Sequence, residues 1–195
     1  MTLSAFLHRV VDILDDCQIP YMLTGSLAAA YYATPRATKD IDIVFETDEA
    51  GIDRLVGRLR EAGLYVDRGA AIEALRSHGQ FNAIDPLSGW KVDLIVRKER
   101  AFSQTEFGRR SHATILGIDA SLASLEDVLI SKLEWSILGD SELQRRDVTE
   151  LLERAWHGID LEYVEGWVSE LGLRPAWEAL RERAVERPPN GRSTD

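Results

Sequence analysis

A single cysteine, Cys17, is too little for a disulfide framework within the chain or for a cysteine-rich zinc site. It reads instead as a small buried hydrophobe at the end of the first helix. The four histidines, His8, His78, His112 and His157, have no ligand spacing and are assigned no metal. No apolar run approaches the ~18 residues that span a bilayer. The opening segment MTLSAFLHRVVDILDDCQIP lacks a basic start and a continuous apolar stretch, so no signal peptide is expected. The expectation is a cytoplasmic protein with no membrane partner. Basic charge is also scarce: 23 Lys and Arg stand against 33 Asp and Glu, a net charge of −10. That excludes a broad sequence-independent nucleic-acid surface, which needs a cationic field. It leaves room for a divalent cation, which needs carboxylates.

What the chain does have is enough apolar content for a core, 45 % of 195 residues, and clear periodicities. Leu3, Phe6, Leu7, Val10, Val11 and Leu14 mark one face of a helix over 3–17. Tyr21-Met22-Leu23 reads as a short strand, Gly25-Ser26 as a turn, and Leu27–Ala33 as an alanine-rich helix stopped by Pro35. Asp40–Phe45 is a second strand, and 49–62 an amphipathic helix closed by Gly63. Ala70–Arg76 suggests a short helix or turn. Gln80–Ile84 and Trp90–Val96 flank the turn-rich DPLSG as a hairpin. His112–Ile118 is a candidate edge strand, with a joint at Asp119–Ala123. Beyond it lie four helical segments: Ser124–Leu138, Ser141–Trp156, Asp160–Leu171 and Pro175–Val185. The five tryptophans are expected mostly on core faces. The fold class is therefore α+β, a small mixed sheet flanked by helices and followed by a helical subdomain. The expected division is 1–118, 119–187, and a disordered tail over 188–195.

The chemistry is carried by acids on strands. Residues two apart in a strand share a face, so Asp40 and Asp42 project together while Ile41 and Ile43 turn the other way. With 33 acids, chance acid-x-acid pairs are common, and the pair alone is weak. Its setting is stronger, because it opens the apolar strand DIDIVF. A third acid, Asp93, interrupts VDLIV, where an unpaired buried charge is costly. Asp93 either has a cationic partner such as Lys91 or joins the other two acids around a metal. Three carboxylates on one hard cation suit phosphoryl chemistry, in which metal charge offsets that of a triphosphate.

Gly25-Ser26, a short helix, Arg36-x-Thr38-Lys39-Asp40-Ile41-Asp42 and then Asp93 resemble the polymerase-β-like nucleotidyltransferase superfamily over residues 5–100. The SLEDVLISKL segment and Arg145-Arg146-Asp147 add a looser likeness to small bacterial nucleotidyltransferases of abortive-infection, toxin–antitoxin, aminoglycoside and lincosamide type. The resemblance implies Mg²⁺ or Mn²⁺ on Asp40, Asp42 and Asp93, with Asp93 also acting as, or helping to position, the base for the acceptor hydroxyl. It implies nucleotide binding by Gly25 and Ser26, Arg36 and Lys39 near the mouth, and Lys132 as a cation reaching the triphosphate. For Arg146-Asp147 an ion pair is the plainer reading.

The implied activity is transfer of an NMP from an NTP to a hydroxyl, with pyrophosphate released. The acceptor stays open between a small molecule and a protein, with a cognate toxin or antitoxin as partner in the second case. A tRNA end fits poorly with the net charge, even counting the basic clusters Arg97-Lys98-Glu99-Arg100 and Arg109-Arg110. Two other classes stand beside this: a catalytically silent nucleotide- or partner-binding module of the same fold, and a structural α/β protein whose acids are surface charge.

Overall fold

The computed structural model describes residues 1–33 and 40–186, with only the backbone of Val185 and Glu186. Arg36, Lys39 and the 188–195 tail therefore lie outside the described residues. Contacts divide the chain into two units, the first drawn from Met1–Leu27 and Ala37–Ser124, the second from Ala28–Arg36 and Leu125–Asp195.

The first unit is built on a seven-stranded mixed sheet. Its strands are β1 (Tyr21–Thr24), β2 (Asp40–Phe45), β3 (Tyr65–Val66), β4 (Gln80–Ile84), β5 (Lys91–Val96), β6 (Ser111–Ile115) and β7 (Ile118–Leu122), in the order β3-β4-β5-β2-β1-β7-β6. β2 and β5 run parallel, as do β1 and β7; the remaining neighbours are antiparallel. Leu23, Ile41, Ile43, Val92 and Leu94 are fully buried and Phe81 nearly so, which makes one face of the central strands the core face. Alternation then sends Asp40, Asp42 and Asp93 to the other face.

Helices α1 (Leu3–Asp16), α3 (Glu49–Glu61) and α4 (Arg68–Ser77) start at Thr2, Asp48 and Asp67, whose side chains accept from the amides of Ala5, Gly51 and Ala70. Each then buries the stripe its apolar spacing marks, such as Phe6, Leu7, Val10, Val11 and Leu14 in α1. Cys17 is the buried C-cap of α1, as its sequence position implied.

Three elements differ from expectation. The 119–123 joint is strand β7, paired on both sides, and it forms a hairpin with β6 through Leu116-Gly117, both at positive φ. Ile118, Ala120 and Leu122 are buried and alternate with Asp119 and Ser121, a one-sided pattern overlooked because the residues are small. The short strand β3 and helix α5 (Ala101–Gly108) were likewise unforeseen.

Helix α2 (Gly25–Tyr32) begins in the first unit and passes into the second. The second unit otherwise holds α6 (Leu125–Leu138), α7 (Glu142–Ala155), a 3-10 turn at Trp156–Gly158, α8 (Leu161–Glu170) and α9 (Arg174–Glu186). α6 packs on α7, α8 and α9. Its core includes Val128, Leu129, Leu133, Val148, Leu151, Leu152, Val164, Val168 and Trp177. Two of the acids buried among them are satisfied: Tyr163 donates to Asp127 at 2.6 Å, and the Asp160 amide donates to Glu126 at 3.2 Å, whereas the Trp177 indole N–H has no hydrogen-bond partner among the described residues. Of the five tryptophans Trp177 is fully buried, Trp90, Trp156 and Trp167 are half-buried, and Trp135 is half exposed, which departs from the expected core placement. No helix among the described residues is long and apolar enough to cross a membrane.

Candidate active site

Parallel pairing of β2 with β5 places Asp42 opposite Asp93 and Asp40 opposite Lys91, all on the polar face. On β2's other side Thr24 stands opposite Asp42, and on β5's other side Asn82 stands opposite Asp93. The three acids, 53 positions apart at their extremes in sequence, thus share one patch of one sheet. Their burial is graded: the Asp40 side chain is 55 % exposed, Asp93 14 %. Asp93 is far more withdrawn from water than Asp40, and its charge needs an answering cation.

Lys91 supplies one. Its Nζ donates to Asp93 Oδ2 at 2.8 Å and lies 3.5 Å from Asp40 Oδ1. The hydrogen bond to Asp93 raises the Lys91 pKa above its ordinary value, with partial burial opposing it. The sequence offered Lys91 as a partner for Asp93; its second contact, to Asp40, becomes visible only once the two strands are aligned.

Gly25 explains how β1 and α2 meet this patch. It has φ +65° at the strand-to-helix junction, and a β-carbon there would sit 2.0 Å from Asp42 Oδ2. The turn therefore needs glycine twice over, once for its backbone and once for the space the carboxylate takes. Gly63 has φ +83° with open space around it. Replacing either glycine by Ala should cost about 1–3 kcal/mol of stability from the left-handed backbone. Only Gly25→Ala should also displace Asp42 and lower activity, at least about tenfold for a misplaced site carboxylate. Melting curves and transfer rates of the two variants side by side check this; equal activity would disprove the contact.

Lys132 belongs to α6 of the second unit and is engaged there. Its Nζ donates to Asp147 Oδ2 at 2.7 Å and to Gln144 Oε1 at 2.9 Å, and both side chains of the ion pair are 4 % exposed. Arg146 pairs with Glu150 instead of with its neighbour. The basic clusters are similarly absorbed: Arg97 pairs with Glu46 and Glu99, Arg100 donates to Ser103, and Arg110 stacks on Phe107 and donates to its carbonyl.

Three carboxylates are the hard oxygen donors a divalent cation takes, and Asp42 and Asp93 are adjacent in register. The donor chemistry fits. Among the described residues no three such side chains are already drawn together into a cage, and the Lys91 ammonium lies between two of the acids.

The fold is shared with solved nucleotidyltransferases, the class the motif order pointed to. A family model of aminoglycoside-2''-adenylyltransferases matches residues 6–88, which hold Gly25, Ser26, Asp40 and Asp42 but not Asp93. The solution structure of the antibiotic-resistance factor ANT(2'')-Ia is similar with a TM-score of 0.59 at 17 % identity, over 94 % of this chain and 97 % of that one. ANT(2'')-Ia in complex with adenylyl-2''-tobramycin gives 0.53 at 15 %, over 96 % and 99 %. An antigenic nucleotidyltransferase-like protein from Paracoccidioides brasiliensis gives 0.53 at 18 %, over 92 % of each chain. No curated protein matches the sequence.

Proposed function

We propose that this chain is a metal-dependent nucleotidyltransferase that moves an NMP from an NTP to a hydroxyl of a small cationic acceptor, releasing pyrophosphate. The observation that carries the reading is the in-register placement of Asp42 beside Asp93, with Asp40 on the same face and the Gly25 turn against Asp42. The names of the matching family and of ANT(2'')-Ia support ATP as donor and an aminoglycoside-like acceptor. The net charge of −10 supports a cationic one, since carboxylates attract polyamines.

Asp40, Asp42 and Asp93 would hold Mg²⁺ or Mn²⁺, which when bound offsets triphosphate charge and stabilises the leaving pyrophosphate. Asp93 takes the proton as the acceptor oxygen attacks the α-phosphorus and the bond to the β-phosphate oxygen breaks. The Gly25-Ser26 turn, at the N-terminus of α2, offers backbone amides to phosphate. Arg36 and Lys39 belong to the proposed mouth on sequence grounds. Lys132 is left out, because its ammonium is held in a buried pair.

The test supplies each α-labelled NTP with Mg²⁺ or Mn²⁺ to the protein alone and with aminoglycosides, lincosamides, bulk tRNA or lysate, using Asp42→Asn as control. Label on an aminoglycoside or lincosamide, lost in the control, supports the reading. Label on protein or tRNA would replace the acceptor class. No transfer despite metal-dependent NTP binding would make the chain a silent module. In the same preparations NTP with Mg²⁺ should stabilise the fold, by about 2.7 kcal/mol at a hundred times its Kd. Unchanged melting at saturating concentrations would count against any metal–nucleotide site.

A further inference from the structure

The Lys91 ammonium makes one direct hydrogen bond to Asp93 at 2.8 Å and reaches Asp40 at 3.5 Å, so a single flexible cation bridges two of the three acids across the β2–β5 pair. Its side chain is 32 % exposed, which leaves its head room to move without unfolding anything around it. Mg²⁺ and Mn²⁺ bind carboxylate oxygens at about 2.1 Å. An ammonium at hydrogen-bond distance and a divalent ion at coordination distance compete for the same lone pairs and repel each other at short range.

We propose that Lys91 is a built-in competitor of the divalent cation: it neutralises Asp93 and Asp40 in the metal-free protein and must leave them for metal to bind. This rests on the reading of the three acids as the metal site. It assigns Lys91 a positioning role. The residue keeps two like charges close before loading, so the acids need not splay apart, and it weakens metal binding in the absence of substrate. Asp42, held against Gly25 and opposite Asp93 in register, stays in place through the exchange.

The experiment measures Mn²⁺ binding to the full chain without nucleotide, by electron paramagnetic resonance of the free ion, in wild type, Lys91→Met, Lys91→Arg and Asp42→Asn. Removing the competing charge should tighten Mn²⁺ binding in Lys91→Met by about fivefold or more, the scale of one nearby charge in a half-solvated site. Lys91→Arg should bind like wild type. The metal-free Lys91→Met protein should melt lower than wild type and regain the difference when Mn²⁺ is added. Equal or weaker Mn²⁺ binding by Lys91→Met, beside clear binding by wild type that Asp42→Asn loses, would overturn the competitor role and leave the metal site standing. A gain in Lys91→Arg as large as in Lys91→Met would overturn it too. No Mn²⁺ binding by any variant would overturn both the inference and the metal-site reading beneath it. Should Lys91→Met fail to fold, Lys91→Gln, which can still donate to Asp93, takes its place in the same comparison.

Discussion

If Asp93 is the proposed base, Asp93→Asn should lower nucleotidyl transfer by roughly 10²–10⁴-fold, the range for loss of a positioned base, and leave the fold intact. The asymmetry follows from position. Asparagine keeps the shape of the side chain on β5 and can still accept from Lys91, so the sheet loses only part of an ion pair whose lysine is a third exposed. Such a pair contributes at most about 1 kcal/mol. On the proposed roles, the chemistry would lose a ligand and the proton acceptor together. Steady-state transfer and a melting curve on one preparation check both halves. Turnover within about tenfold of wild type would remove Asp93 from the catalytic group and leave it as the structural partner of Lys91.

Lys132→Met produces the opposite pattern, a large loss of stability. The Lys132–Asp147 pair joins α6 to α7 with both side chains out of water, and Gln144 takes a further ammonium proton. Removing the lysine takes the 2.7 Å cationic partner from a buried carboxylate, at a cost of about 3–5 kcal/mol. In a chain of this size that lowers the melting temperature by roughly 6–20 °C. A Lys132→Met/Asp147→Leu double variant should recover most of the loss, because well-packed apolar residues replace a buried pair at little cost. Nucleotide affinity, measured on the folded fraction at low temperature, separates this role from the one its motif implied. Unchanged affinity makes Lys132 an internal brace; a tenfold loss would return it to the triphosphate.

Much of the first unit could be read in the linear chain because local chemistry and burial agree there. DIDIVF and KVDLIV are too apolar for anything but central strands, and their acids stand out against that background. The α1 and α3 stripes are unambiguous at helical spacing. β7 escaped notice because Ala120 and Ser121 carry little hydrophobic signal; its place is decided by pairing with β1 and β6, which no short window contains. α5 was hidden for a similar reason: its flanking arginines looked like loop charge, whereas Arg100 is the residue at its N-terminal cap. Lys132, which the motif likeness offers as a cation for the triphosphate, shows its buried pair only once the partner helix supplies Asp147.

By itself the sequence determined which residues could do chemistry: two acids at a strand's mouth, a third within another strand, and a glycine turn before them. Strand periodicity and the cost of burying charge are properties of short segments, so a single chain displays them. Tertiary structure alone decided which of those residues meet. The β2–β5 register puts Asp42 opposite Asp93 and Lys91 between Asp93 and Asp40, and the close approach of Gly25 to Asp42 turns a permissive residue into a required one. Register depends on how whole strands bury their core faces together, and that is a property of the sheet, which no segment carries alone.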